Sequence, residues 1–165
     1  MTLRWRPMTP ADLDGVVRVA AEAFPDHPED RACFADRLAL YPAGCRVLAD
    51  TDDAVAGYLI AYPWRLDDAP ALNARLAALP PDPDVLYLHD LALSAAARGG
   101  GRAAPAVDLA VRTAQAAGLS RIALVAVNRA APFWARQGFA PRSSPILAGK
   151  LSGYGQDAVY MTRAV

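Results

Sequence analysis

Leu91-Ala92-Leu93-Ser94-Ala95-Ala96-Ala97-Arg98-Gly99-Gly100-Gly101-Arg102-Ala103-Ala104-Pro105 is the stretch of this chain best suited to chemistry. It passes from an apolar, strand-like run through three glycines into a helical pattern. Lacking Cβ atoms, the glycines let successive backbone N–H groups turn toward one point, and the start of the helix adds free donors and partial positive charge. That chemistry is anion binding, with Arg98 and Arg102 on either side of the loop. Pro105 removes a donor that the first helical turn leaves unpaired in any case. A loop rich in glycine for turn geometry alone is the plainer alternative. A Walker A loop needs Gly-Lys-Ser/Thr, and here Gly101 is followed by Arg102 and Ala103, so that reading is rejected. Gly99-x-Gly101-x-x-Ala104 formally fits a dinucleotide fingerprint. No acid ends the next strand about 20 residues on to hold a ribose, however, because residues 122–127 run into Asn128.

Arg98-x-x-Gly101-x-Ala103 resembles the Arg/Gln-x-x-Gly-x-Gly/Ala signature of the GCN5-related N-acetyltransferases, whose loop holds the pyrophosphate of acetyl-CoA. Downstream, Asn128-Arg129-Ala130-Ala131-Pro132-Phe133-Trp134-Ala135-Arg136-Gln137-Gly138-Phe139 is similar to that family's Asn…Phe-Tyr/Trp-x-x-x-Gly-Phe segment. The resemblance implies a mixed α/β fold, with a mostly antiparallel central sheet whose central parallel strands are splayed and flanked by helices. It implies acetyl-CoA as cofactor, with pantetheine lying in the gap like an added strand. The cofactor residues are then Leu91, Ala92, Leu93, Arg98, Gly99, Gly100, Gly101, Arg102, Ala103, Asn128, Phe133 and Trp134. A backbone N–H near Leu91 would polarise the thioester carbonyl. Asn128 would contact the pantetheine arm, or cap the following helix.

Acyl transfer to an amine needs a proton acceptor, and His89 and Asp90 sit at the right end of their strand. Strand neighbours point to opposite faces, so both line one site only if a bulge intervenes. A packed histidine beside an aspartate that accepts local N–H groups is the alternative. Where many family members carry a tyrosine acid, this chain has Trp134, whose indole N–H cannot release a proton at useful pH. Trp134 then packs against cofactor or core, and Tyr154, between Gly153 and Gly155, is the substitute acid unless it is a surface hairpin residue. A thiol with pKa near ~8.5 also leaves without help once proximity is arranged. The acceptor pocket draws on residues 24–30 and 63–84. There Asp26, Glu29, Asp67 and Asp68 either attract a cationic amine or are solvated loop acids, and Tyr62, Trp64 and Tyr87 form an apolar wall or core.

The elements that must hold these groups are legible in the pattern. Residues 2–6 read as a strand. Thr9-Pro10-Ala11-Asp12 opens a helix whose Leu13, Val16, Val17 and Ala20 share a face up to Phe24. Phe34, Leu38 and Tyr41 mark a second helix, broken by Pro42 and Gly44. Strands follow at 45–49 and 54–62, then an insertion over 63–84 with a helix-compatible piece at 71–79. After the strand at 85–93 come a helix over 102–117, an all-apolar strand at 122–127, a short helix over 132–137, and a β-like tail with its clearest strand at 158–161.

With 165 residues, 54% of them hydrophobic and 21% charged, one domain over 1–165 is expected. Seventeen basic residues balance seventeen acidic ones, which gives no general pull toward nucleic acid or an anionic membrane. No signal-like or membrane-spanning run is present, so a cytoplasmic location is expected. Cys33 and Cys45 stand in no ligand spacing, and neither a disulfide framework nor a metal is expected. The leading expectation is direct acetyl transfer to a small-molecule amine or a peptide N-terminus, by a chain for which a homodimer is an open arrangement. The rivals are an acyl-CoA-binding sensor without turnover and a nucleotide-binding oxidoreductase.

Overall fold

Helix α1 (Leu13–Ala23) grows out of a 3-10 turn at Pro10–Asp12 in the computed structural model, which describes residues 2–165 apart from the Ala148 side chain. The Asp12 carboxylate accepts from the Thr9 N–H and from Arg6, each at 2.8 Å, satisfying donors that the helix start leaves free. Leu13, Val16 and Val19 are buried, while Val17 and Ala20 pack partly covered against the same core. Helix α2 (Arg31–Leu40) follows the loop over residues 24–30 and ends before Pro42, as its pattern predicts.

Seven strands form one sheet: β1 (Arg4–Pro7), β2 (Cys45–Ala49), β3 (Val55–Trp64), β4 (Val85–Leu93), β5 (Arg121–Ala126), β6 (Ala140–Pro141) and β7 (Val159–Ala164). Their order is β1-β2-β3-β4-β5-β7-β6, antiparallel at every pair except β4 with β5. The fold is thus mixed α/β, with a mostly antiparallel sheet and one central parallel pair. Side chains alternate along β3: Tyr58, Ile60 and Tyr62 enter the core under α1 and α2, while Leu59 and Ala61 enter the core on the opposite face. Helices α3 (Ala103–Ala116) and α4 (Ala131–Arg136) cover that second face through Val107, Ala110, Ala114 and Trp134.

Two features differ from the sequence pattern. The piece at 71–79 is not helical: Asn73 and Ala77 take left-handed φ of 58° and 62°. Backbone groups a helix would pair internally go to α2 instead, with the Ala74 carbonyl accepting from Arg37 (2.5 Å) and the Leu76 N–H donating to Asp36 (2.8 Å). Within the tail lies a further helix, α5 (Pro145–Leu151), opened by Pro145 and by Ser144, whose hydroxyl accepts from the Ile146 N–H at 3.2 Å. Cys33 and Cys45 are buried free thiols, and no helix of the described residues is long and apolar enough to cross a membrane.

Candidate active site

Parallel pairing between β4 and β5 is confined to Leu86 with Ile122 and Tyr87 with Ala123. Beyond it the strands part. The divergence begins at a bulge in β4, where Asp90 pairs with Ile60 but Leu88 pairs with Ala61, leaving His89 as the extra residue. A bulge bends and twists its strand, which carries the outer half of β4 away from β5. The opening is a groove of about 320 Å³ lined by Phe24, Leu91, Leu93, Asn128, Phe133 and Trp134. Residues 91–93 keep their hydrogen bonds to β3 and present their other backbone edge to the groove.

The glycine loop closes the outer end. Gly99 and Gly101 have φ of 82° and 69°, and a Cβ built at either would meet no atom within 4 Å. Among the described residues, the N–H groups of Gly99, Gly100 and Gly101 donate to nothing. The result is an open cradle of unpaired donors before α3, which fits a diphosphate. Gly100 has a separate reason: a Cβ there would sit 2.4 Å from Arg102 Nη1. That side chain folds back to donate to the Ala97 carbonyl at 3.1 Å, and Arg98 Nε donates to the Leu93 carbonyl at 3.1 Å. On the other wall, Trp134 is buried edge to face between Phe133 and Phe139, at ring separations of 5.0 and 5.3 Å. Asn128 takes a left-handed φ of 55° and does not cap α4, whose N-cap is Ala130.

At its inner end the groove narrows and leads to a cavity of about 30 Å³ lined by Phe24, Phe34, Leu72, Val125, Val127 and Tyr154, with His27, Glu29, His89 and Asp90 as its acid–base groups. The bulge sets His89 and Asp90 on this one cavity, as their joint use requires. His89 Nε2 lies 2.7 Å from Glu29 Oε1 and 3.9 Å from Asp90 Oδ2. The side chains of His89 and Glu29 are each 3% exposed, and that of Asp90 is 16% exposed. Tyr58 donates to Asp90 Oδ2 at 2.9 Å, and the Asn73 N–H donates to Glu29 Oε2 at 3.0 Å.

The charges sort themselves by environment. Burial alone would raise Glu29, but the charge and hydrogen bond of His89, with help from Asn73 and Arg37, hold its carboxyl below the usual range. Burial alone would lower His89, but Asp90 and Glu29 keep it above the usual imidazole value. Asp90 is pushed up to about 6, first by burial and then by repulsion from Glu29, against the opposing pull of His89 and Tyr58. Both shifts favour the ionised forms of Glu29 and His89, and Asp90, displaced to about 6, is the group placed to exchange a proton near neutral pH. The ligating atoms of Glu29, His89 and Asp90 lie within 4.8 Å of one another, a spacing that a divalent cation could also bridge.

The other candidates fall into place around this cluster. Tyr154 is buried in the same cavity wall, but its hydroxyl donates to the Pro70 carbonyl, and burial pushes it up to about 12. Asp67 is paired with Arg142 and Asp68 with Lys150, so of the acids between α1 and α2 and in the insertion, Glu29 alone enters the cavity. Tyr62 and Tyr87 are core residues, both about 1% exposed, and Trp64 packs beside them. Sequence reasoning did not join Glu29 to His89, which stands sixty positions away. The available signal was an acid between Pro28 and Asp30, in a loop that must face the strand ends.

A family model described as the acetyltransferase (GNAT) family matches residues 5–139. No curated protein matches the sequence. Among solved structures, Ard1 from Thermoplasma volcanium superposes with a TM-score of 0.75 at 16% identity, over 100% of this chain and 99% of that one. The GphF GNAT-like decarboxylase, in complex with isobutyryl-CoA, gives a TM-score of 0.75 at 19% identity over 98% of each chain. The GNAT family N-acetyltransferase YhbS from Escherichia coli, in complex with CoA, gives 0.63 at 17% identity over 98% and 81%. At these identities the structural likeness speaks for the fold.

Proposed function

Because the chain belongs to the acetyltransferase (GNAT) family, we propose that it is an acetyl-CoA-dependent N-acetyltransferase acting on a primary amine of a small molecule or a peptide. The observation that carries this reading is the half-zipped β4–β5 pair, which opens at one end onto the glycine cradle and at the other onto Glu29, His89 and Asp90. When bound, acetyl-CoA supplies the activated acyl group. The cradle of Gly99, Gly100 and Gly101 would hold its diphosphate, the free edge of Leu91, Ala92 and Leu93 its pantetheine, and Phe133 and Trp134 the apolar wall. A main-chain N–H near Leu91 is assigned to the carbonyl oxygen.

An ammonium entering the cavity meets Asp90, whose displaced pKa lets it take up a proton near neutral pH and pass it to solvent. The Glu29–His89 ion pair keeps the neighbourhood polar without competing for that proton. Glu29 and Asp90 leave the site with a negative bias, which favours a cationic acceptor and disfavours an acyl group carrying its own carboxylate. That bias favours transfer to an amine over the decarboxylation named for one structural neighbour. Tyr154, engaged with Pro70, is assigned to the pocket wall, and the departing thiol needs no protein acid. Acetyl-CoA should raise the melting temperature while NAD does not, and thiol release should depend on added amine. Stabilisation by NAD alone would return the dinucleotide reading. Acetyl-CoA binding with no thiol release across an amine panel would leave a sensor.

A further inference from the structure

Resting on that reading, we infer that the acceptor is a compact, apolar primary amine without a carboxylate beside the amine, and that residues 65–84 form the strap that enforces this choice. The strap joins β3 to β4 and crosses the acceptor end of the cavity. Tyr154 donates to the Pro70 carbonyl, Asp67 is held by Arg142 at 2.7 Å, and Arg37 donates to the Ala74 carbonyl at 2.5 Å. At the crossing point Asn73 bonds both ways: its N–H donates to Glu29 Oε2 at 3.0 Å, and its Oδ1 accepts from the Asp30 N–H at 2.7 Å. Its left-handed φ of 58° lets one residue make both contacts.

The strap does two things to the acceptor. It places Leu72 in the cavity wall with Val125 and Val127, leaving about 30 Å³ beside the acid–base cluster, room for an amine head but not for a bulky group on the same carbon. Its own backbone already bonds to α2 and to the loop before it, so those strap groups are not free to pair with an extended peptide. The cavity lining excludes an amino acid on different grounds. Its polar side chains are Glu29, Asp90, His27, His89 and Tyr154; His89 lies against Glu29, His27 Nε2 donates to the Tyr154 carbonyl, and the Tyr154 hydroxyl donates to the Pro70 carbonyl. Arg37 is not part of the lining; its guanidinium lies 5.8 Å over the Tyr62 ring. A substrate carboxylate would be buried beside the Asp90 carboxylate and the Glu29–His89 pair, with no lysine or arginine in the lining to meet it.

Three acceptors with the same amine-bearing stem test this: isobutylamine, valine, which adds a carboxylate, and valyl-alanyl-alanine, which adds a chain. Assayed by thiol release at saturating acetyl-CoA, isobutylamine should exceed the other two in kcat/KM by at least ~100-fold. Valine or the tripeptide within about threefold overturns the inference while leaving the acetyltransferase reading intact. No transfer to any amine, with acetyl-CoA still raising the melting temperature, overturns both. Leu72→Ala tests the wall separately: it should shift the ratio of phenethylamine to isobutylamine turnover about tenfold toward the larger amine. An unchanged ratio shows that the strap is not the wall.

Discussion

Asp90→Asn separates catalysis from stability in a way that the geometry fixes in advance. Asp90 is displaced from an ordinary value of 3.8 up to about 6, mainly because folding buries it. With a pKa of about 6, roughly nine-tenths of the carboxylate is ionised at pH 7 and roughly one-tenth at pH 5, so wild-type turnover should climb about tenfold between them. In the variant that ascending limb should vanish, and turnover at pH 7.5 should drop about 10²- to 10⁴-fold, with CoA affinity unchanged. Stability should move the other way. Between about pH 4 and pH 6 the native state holds a proton that the unfolded chain has released, so wild-type stability falls as pH rises through that window. The displacement corresponds to at most about 3 kcal/mol lost by pH 7. Asn carries no charge to bury and can still accept from Tyr58. The variant should therefore melt about 5 °C higher than wild type at pH 7.5, with the gap closing toward pH 4. The assays are thiol release over pH 5–9 and calorimetric melting at pH 4 and 7.5. A variant that keeps a limb near pH 6, or whose melting advantage does not depend on pH, would refute Asp90 as the buried proton acceptor.

Tyr58→Phe removes the hydrogen bond that holds Asp90 down, so the ascending limb should move to higher pH by about half a unit to one unit; a limb at or below its original position contradicts this. Gly101→Glu should weaken CoA binding at least ~100-fold in calorimetry by placing a negative side chain in the cradle. Gly101→Ala bears only the backbone strain of φ 69°, about 1 kcal/mol, because no atom lies within 4 Å of its Cβ; equal losses in both variants would make the loop a matter of backbone geometry rather than anion binding.

The strand, glycine loop and helix at one end of the groove were legible because their information is local. A strand, three glycines and a proline-opened helix occupy adjacent positions, and left-handed φ at Gly99 and Gly101 is what glycine permits at least cost. The bulge at His89 was legible too, as the condition for two strand neighbours to share a cavity. The acceptor end was not. Glu29 meets His89 and Asn73 across sixty and forty-four positions, and no periodicity registers a contact at that range. Residues 71–79 carry enough alanine and leucine to look helical, but their backbone partners lie on another helix, so tertiary bonds override local propensity. Helix α5 is only seven residues long, and its Ser144-Pro145 start lies in a tail rich in turn formers, where a short helix has too few turns to show a periodicity.

A sheet ordinarily exposes its unpaired margin at the periphery, where another polypeptide can dock and aggregation begins. Here part of that margin lies mid-sheet, between β4 and β5, and the two strands are clamped at one end by Leu86–Ile122 and Tyr87–Ala123. A slit hinged at a fixed base works as a gauge: it admits something one chain thick, to a depth set by where the clamp begins.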